Sequence, residues 1–378
     1  MCGKGVPQDM HCSRKAVCKN AASLRPPYVA VKALLFSCSE QPKYPDSVPF
    51  PLPIHLLIPL MKNTVRPAIL GLLVGDALGV PAEFKSRETL KRQPVTGMTG
   101  FGTHNQPPGT WSDDGSLTLC LVDALCEGYD LGRIARSFTD WFYEKKWTPH
   151  GEVFDIGNTT LEAISRLKGG VQPDLAGGND EQSNGNGSLM RILPLLFYIR
   201  DKPEAERFER TRQVSALTHA HIRSVLACFY YLEYARLILA GENILEAYAA
   251  TNRLVQRRFA AMALAPGEVA AFDRILKGDI HTLAGHEIIG SGYVIHSLEA
   301  SLWCVMTSSS YPEAVLKAVN LGEDTDTTGA ITGGLAGLVF GMESIPEQWI
   351  SQIARINEIE KLIHVFAASL SQNGDNAE

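Results

Sequence analysis

Two short acidic stretches hold the residue types that could do chemistry. One is Gly322-Glu323-Asp324-Thr325-Asp326-Thr327-Thr328-Gly329; the other is Gly109-Thr110-Trp111-Ser112-Asp113-Asp114-Gly115-Ser116. Each leads directly into an apolar run of helical character, Ala330 to Val339 and Leu117 to Leu125. Either stretch alone reads as helix capping, because Asp, Ser and Thr satisfy the free N–H groups and the positive dipole end of a helix. Together they exceed what capping needs: one N-cap uses one acid, and adjacent carboxylates repel. With the hydroxyls of Ser112 and Thr327 and no Cys or His nearby, the aspartates form an oxygen-only donor set. Such a set suits Mg²⁺, Mn²⁺ or Ca²⁺ and not Zn²⁺ or Cu²⁺. If the stretches meet in space, Asp113, Asp114, Asp324 and Asp326 balance two divalent ions, the charge pattern of a paired-metal centre.

The elements that must position these acids are helical. Ala68 to Gly79 is an apolar run whose glycines would weaken an exposed helix but permit close helix contact. Thr64-Val65-Arg66-Pro67 before it reads as an N-cap with proline in the first turn. Further helices are expected over 113–128, 133–146, 159–167, 204–217, 222–239, 244–259, 266–276, 293–306, 312–319 and 353–370. β-Alternation is absent beyond a few residues, and no motif recurs at a fixed period. The expected fold class is all-α, a compact helical bundle with its site at one end. Between the helices, 169–187 is a long Gly/Asn/Asp-rich loop running into Leu189; such loops are functional or flexible, and a glycine approach to a helix can hold phosphate on its N–H groups.

Composition bounds the rest. The chain has 378 residues, 45% hydrophobic and 20% charged, enough for a sizeable core. A formal net charge of -6 argues against nucleic acid as partner. No uninterrupted apolar run approaches the roughly 20 residues of a membrane span, so no membrane partner is expected. Of the 8 Cys, Cys120, Cys126, Cys228 and Cys304 lie scattered in apolar helical patterns without CxxC spacing. They read as free thiols of a reducing compartment, which sets the expectation of a cytoplasmic protein. Residues 1–60 are Pro-rich and lack periodicity. They are expected to be a disordered extension or no part of the native domain, with Met61 as a candidate start and 61–378 as the catalytic domain.

Read in order, the motifs resemble the ADP-ribosylglycohydrolase family, in particular its dinitrogenase reductase-activating branch. The resemblance runs from about Met61 to the C-terminal helix. It is carried by Gly75-Asp76-Ala77-Leu78-Gly79 with Glu83, Trp111-Ser112-Asp113-Asp114, Asp155-Ile156-Gly157-Asn158-Thr159-Thr160, Gly185-Asn186-Gly187-Ser188-Leu189-Met190-Arg191, Leu217-Thr218-His219, Ser291-Gly292-Tyr293 and Gly322-Glu323-Asp324-Thr325-Asp326-Thr327. It implies an all-α fold of orthogonally packed helices around two Mg²⁺ or Mn²⁺ ions, and hydrolysis of the bond between ADP-ribose and a modified side chain. Carried over position by position, Ser112, Asp113, Asp114, Asp324, Asp326 and Thr327 are metal ligands. Glu83, Asp155 and Asp326 serve catalysis. Asn158, Gly185, Gly187, Ser188, His219 and Tyr293 contact substrate. Two departures stand out: Glu323 where glycine is common, and Gly115 where threonine is common, which leaves one hydroxyl fewer beside the metals.

Each of these residues also has a plain reading. Glu83 fits a surface acid, Tyr293 a core aromatic, Arg191 a brace for loop carbonyls, and Asp76 an internal cap. His219-Ala220-His221 has HxH spacing, but no further zinc ligands are near. Glu181 lies in the long loop with nothing local to place it. The expected substrate is an ADP-ribosylated protein, arginine-linked first, or a small ADP-ribosyl compound, acted on by a monomer. Alternatives are a serine, nucleobase or metabolite linkage, a non-catalytic ADP-ribose binder, and metal-dependent phosphoester hydrolysis.

Overall fold

The computed structural model describes residues 54–375, with side chains over 64–371. The expectation for residues 1–60 therefore falls almost wholly outside the described residues. Sixteen α-helices cover the described chain: α1 (Ile54–Gly79), α2 (Arg87–Arg92), α3 (Asp113–Leu125), α4 (Leu131–Glu144), α5 (Asn158–Lys168), α6 (Leu195–Ile199), α7 (Glu204–Ala216), α8 (Ile222–Leu239), α9 (Ile244–Met262), α10 (Pro266–Ala270), α11 (Asp273–Lys277), α12 (Val294–Met306), α13 (Tyr311–Val319), α14 (Thr325–Phe340), α15 (Glu347–Ile350) and α16 (Ile356–Asp375). Among the described residues, β-structure is limited to isolated bridges, including Gly178 with His219 and Gly185 with Tyr293. The all-α expectation holds.

Two helix limits differ from expectation. The Thr64 to Pro67 segment lies inside α1 and does not open it. Proline in a first turn and proline after a helical turn that gives up one hydrogen bond look alike in sequence. The run 266–276 is two short helices, broken at Ala271 and Phe272. The stretch Thr64–Ala82, interrupted by Arg66 and Asp76, is by length and composition apolar enough to cross a bilayer, but 94% of its most apolar window is buried inside the protein. It is the core helix around which the bundle packs.

The central contact is α1 against α14, and glycine makes it possible. Gly71, Gly75 and Gly79 recur every four residues on α1, as do Gly329, Gly333 and Gly337 on α14, so each set forms one stripe on its helix. A Cβ on Gly75 would lie 2.0 Å from the Gly329 carbonyl oxygen, and one on Gly333 would lie 2.2 Å from that of Gly71. At the end of the stripe, a Cβ on Gly79 would lie 2.3 Å from the Asp326 Cα. Backbone meets backbone along the whole contact. Tyr311 reinforces it by donating from Oη to the Gly71 carbonyl at 2.6 Å. The consequence is positional: the N-terminus of α14, which carries Asp324 and Asp326, is pressed against the C-terminal end of α1, just before Glu83.

Candidate active site

The N-terminus of α3 is brought in by Asp76, a buried carboxylate near the C-terminal end of α1. It accepts hydrogen bonds from the Ser112 N–H at 3.0 Å and the Gly115 N–H at 2.8 Å. Asp76 thus does for α3 what an N-cap does, from another helix. This leaves Asp113 and Asp114 free for other work. Burial pushes the Asp76 carboxyl up to about 8 against the pull of those hydrogen bonds. Gly115 has a structural reason as well: a Cβ there would lie 2.7 Å from both Leu73 and Trp111 side-chain atoms. The missing hydroxyl goes with α3 packing close to α1.

With both helix starts fixed, the two acidic stretches meet. Thr327 Oγ1 donates to Asp114 Oδ2 at 3.2 Å, and Ser112 Oγ donates to the same oxygen at 3.0 Å. Carboxylate oxygens of Glu83, Asp324 and Asp326 lie within 4.8 Å of one another, as do the ligand atoms of Glu83, His104 and Asp155. Asp113, Asp114, Asp324 and Asp326 are all held above the ordinary carboxylate range, first by burial. Their mutual repulsion adds to it. No Lys or Arg forms an ion pair with these four among the described residues. Asp114 Oδ1 and Asp326 Oδ2 are buried without any hydrogen-bond partner. Anionic oxygens stripped of water and left unpartnered are costly unless protonated or met by a cation. An all-oxygen donor set of this kind fits a hard divalent ion.

Glu83 and Asp155 form the outer layer of the cluster. Burial raises both to about 7. His104 bonds Glu83 Oε2 through Nε2, and the same nitrogen is 3.8 Å from Asp155 Oδ1. Three backbone positions here are left-handed: Phe84 (φ 61°), Asp155 (φ 60°) and Glu323 (φ 64°). Such geometry is costly for residues with a Cβ and gathers at functional sites. It also explains why glycine suits position 323. A pair of backbone bonds, Phe84 N–H to the Glu323 carbonyl at 2.7 Å and Glu323 N–H to the Lys85 carbonyl at 2.8 Å, locks these strained segments together.

Glu83, Asp113, Asp155 and Asp324 lie at the floor of a cleft of about 510 Å³, with Asp114 and Asp326 buried outside its lining. Glu83, Phe84, Asp113, Asp155, Asn158, Gly185, Gly187, His219, Asp324 and Thr327 all line it. The glycine loop forms one wall. It is pinned by Asn186 N–H to the Gly292 carbonyl at 3.1 Å and Val294 N–H to the Asn184 carbonyl at 3.0 Å. Asn186 also donates from Nδ2 to Asp324 Oδ2 at 2.8 Å, tying that wall to the acidic floor.

Other positions resolve as follows. Tyr293 opens α12 with its backbone paired to Gly185 and its ring edge-on to His296 at 5.0 Å. Ser188 does not reach the cleft with its hydroxyl, which is fully buried against Ser215 Oγ at 3.0 Å and Cys228 Sγ at 3.4 Å. The side chain points to the core because the chain turns inward after Gly187. His221 is separate from His219 and caps α8, accepting from the Arg223 N–H at 3.3 Å. Glu181 pairs with Arg223 at 3.3 Å. Arg191 braces Thr218 and Val214. Cys120, Cys126, Cys228 and Cys304 are free thiols.

His104, Asn186 and Phe84 were not singled out from sequence. His104 stands outside both acidic stretches, and Asn186 looks like one more polar loop residue. Phe84, 70% exposed at the rim, could have been flagged only by its place after Glu83.

The helical scaffold buries clustered carboxylates beside a glycine-walled cleft, and comparison with known proteins gives that arrangement a family. The ADP-ribosylglycohydrolase model matches residues 59–376. An ADP-ribosylarginine hydrolase, Tri1, from Pseudomonas putida is 33% identical over 79% of this chain and 76% of its own. The ADP-ribosyl-[dinitrogen reductase] glycohydrolase of Rhodospirillum rubrum is 26% identical over 78% of this chain and 92% of its own. A solved structure described as an ADP-ribosylglycohydrolase-related protein complex superposes with a TM-score of 0.68 at 30% identity, covering 82% of this chain and 99% of that one. The chain belongs to the ADP-ribosylglycohydrolase family, and its activity is that of a glycohydrolase.

Proposed function

We propose that this enzyme hydrolyses the bond between C1″ of ADP-ribose and an arginine side chain, with two Mg²⁺ or Mn²⁺ ions as cofactor. The observation that carries the reading is the meeting of the Asp113-Asp114 stretch with the Asp324 to Thr327 stretch, with Asp113 and Asp324 reaching the lining of one cleft. Similarity to two ADP-ribosylarginine hydrolases, from Pseudomonas putida and Serratia proteamaculans, supports the arginine linkage. So does the exposed Phe84 ring beside Glu83, since an aromatic face next to carboxylates suits a flat guanidinium.

Asp113, Asp114, Asp324 and Asp326, with Ser112 and Thr327, would hold the ions. When bound, divalent ions supply charge that orients ribose hydroxyls and acidifies water. The chain's own groups do the rest. The C1″–N bond breaks through an oxocarbenium-like state. A water oxygen bonds C1″, one water proton passes to a carboxylate, and one proton reaches the departing nitrogen. Glu83 and Asp155 suit these transfers: both border the cleft and both are raised to about 7, near working pH. His104 holds Glu83 in place. Asn158 and the main chain at Gly185 and Gly187 line the path of the ribose and diphosphate. We further take the enzyme to act as a cytoplasmic monomer with a catalytic domain beginning near Met61.

The test is a panel of arginine-, serine- and nucleotide-linked ADP-ribose substrates assayed with Mg²⁺. Free ADP-ribose released fastest from the arginine linkage is the expected result. AMP or inorganic phosphate as product would replace this reading with phosphoester hydrolysis.

A further inference from the structure

We propose that Thr218 and Arg191 are positioning residues that lock His219 as the tautomer bearing its proton on Nε2, making the imidazole a hydrogen-bond donor to an oxygen of the bound substrate. The donor role rests on the reading that the cleft takes ADP-ribose; the tautomer does not.

The argument is a count of protons. Arginine only donates hydrogen bonds. Its Nη2 reaches Thr218 Oγ1 at 2.7 Å, so the hydroxyl accepts there. That hydroxyl has one proton of its own, and His219 Nδ1 lies 2.9 Å away. If Nδ1 carried the ring proton, Thr218 would accept twice. Its own proton would then be buried with no acceptor among the described residues. Leaving a buried donor unmet shifts such an equilibrium by roughly tenfold or more. Thr218 therefore donates to Nδ1, and the ring proton sits on Nε2.

The doubly protonated ring does not compete. Burial first, and then the nearby positive charge of Arg191, push His219 down to about 3. Arg191 is itself fully buried and stacked on Phe138, 4.5 Å from ring centroid to guanidinium carbon. It has no carboxylate partner among the described residues, so its charge is not spent elsewhere. The Nε2 edge faces the glycine wall. A Cβ on Gly187 would lie 2.7 Å from His219 Cε1, and one on Gly185 would lie 3.4 Å from Nε2. The glycines leave that edge uncovered on the cleft side. ADP-ribose brings diphosphate and ribose oxygens to such a wall, and a neutral donor meets them where the other tautomer would present a lone pair.

Long-range ¹H–¹⁵N correlation spectra of the full chain with ¹⁵N-histidine test this directly. Expected is a His219 ring protonated at Nε2 alone, unchanged from about pH 5.5 to 8. Thr218→Val mixes the tautomers, and Thr218→Ser restores the single form. In Mg²⁺ buffer, ADP-ribose affinity falls roughly tenfold in Thr218→Val and stays within about twofold in Thr218→Ser. A wild-type ring protonated at Nδ1, or an undisturbed Nε2–H tautomer in Thr218→Val, overturns the relay. The wild-type and Thr218→Ser spectra decide the matter even if Thr218→Val does not fold. ADP-ribose failing to bind the wild type while its tautomer is as expected overturns the donor role and the functional reading, but not the lock.

Discussion

At the residue scale, Glu323 and His104 are the informative positions. Glu323 occupies a left-handed conformation that glycine enters without cost. Glu323→Gly is expected to raise stability by about 1 kcal/mol and to leave turnover close to wild type, checked by urea unfolding beside an ADP-ribose release assay. His104 is different, because it holds Glu83. His104→Ala is expected to lower kcat roughly 10- to 100-fold with an unchanged unfolding midpoint, read by steady-state kinetics and calorimetry. The acidic stretches were legible from sequence because Asp113-Asp114 and Asp324-x-Asp326 exceed what capping requires. The inward turn of the Ser188 hydroxyl was not legible, because a motif position does not say which way a side chain turns. His104 was invisible because its partner is 21 positions away and its own neighbours are ordinary loop residues.

At the element scale, the contact between α1 and α14 decides where the acids stand. Glycine to alanine usually strengthens a helix interior by about 0.5–1 kcal/mol. At Gly75 the sign reverses, since the added methyl would overlap the Gly329 carbonyl. Gly75→Ala is expected to cost about 3 kcal/mol and to weaken metal binding as α14 is displaced, as measured by thermal unfolding and Mn²⁺ titration. A neutral Gly75→Ala would mean that the helices do not touch as described. The glycine stripes were visible in sequence as a sign of close packing, but not their partner. Residues 71–79 and 329–337 are far apart in the chain, and only three-dimensional packing pairs them. The two helix limits misread have different causes: the proline at Pro67 is equally at home inside a helix and at its start, whereas no Gly or Pro marks the break at Ala271 and Phe272.

At the scale of the whole molecule, the fold gathers like charges that resist being gathered. Glu83 and Asp155, ordinarily ionised above about pH 4, are raised to about 7. A raised acid pKa means that the folded state holds a proton that the unfolded chain has released. Stability of the ion-free protein therefore falls as pH climbs from about 4 through 7, and the full cost is present above that. Asp76, raised to about 8, extends the window upward. With a chelator, the melting temperature is expected to be higher at pH 5 than at pH 8. Saturating Mg²⁺ should remove most of that difference, because ions stabilise the ionised folded form. A flat profile with chelator would show that the acids are relieved some other way. The fold class was readable from period and composition. The convergence of distant acids was only inferable, through the resemblance and the charge count.

The most direct test is equilibrium dialysis against Mn²⁺ of the wild type, Asp113→Asn and Asp326→Asn. Two ions per chain are expected in the wild type, and loss of at least one in each variant, with ADP-ribose release falling in step. Full Mn²⁺ binding by either variant, or undiminished release after exhaustive chelation, would contradict a single cation centre shared by the two halves of the fold.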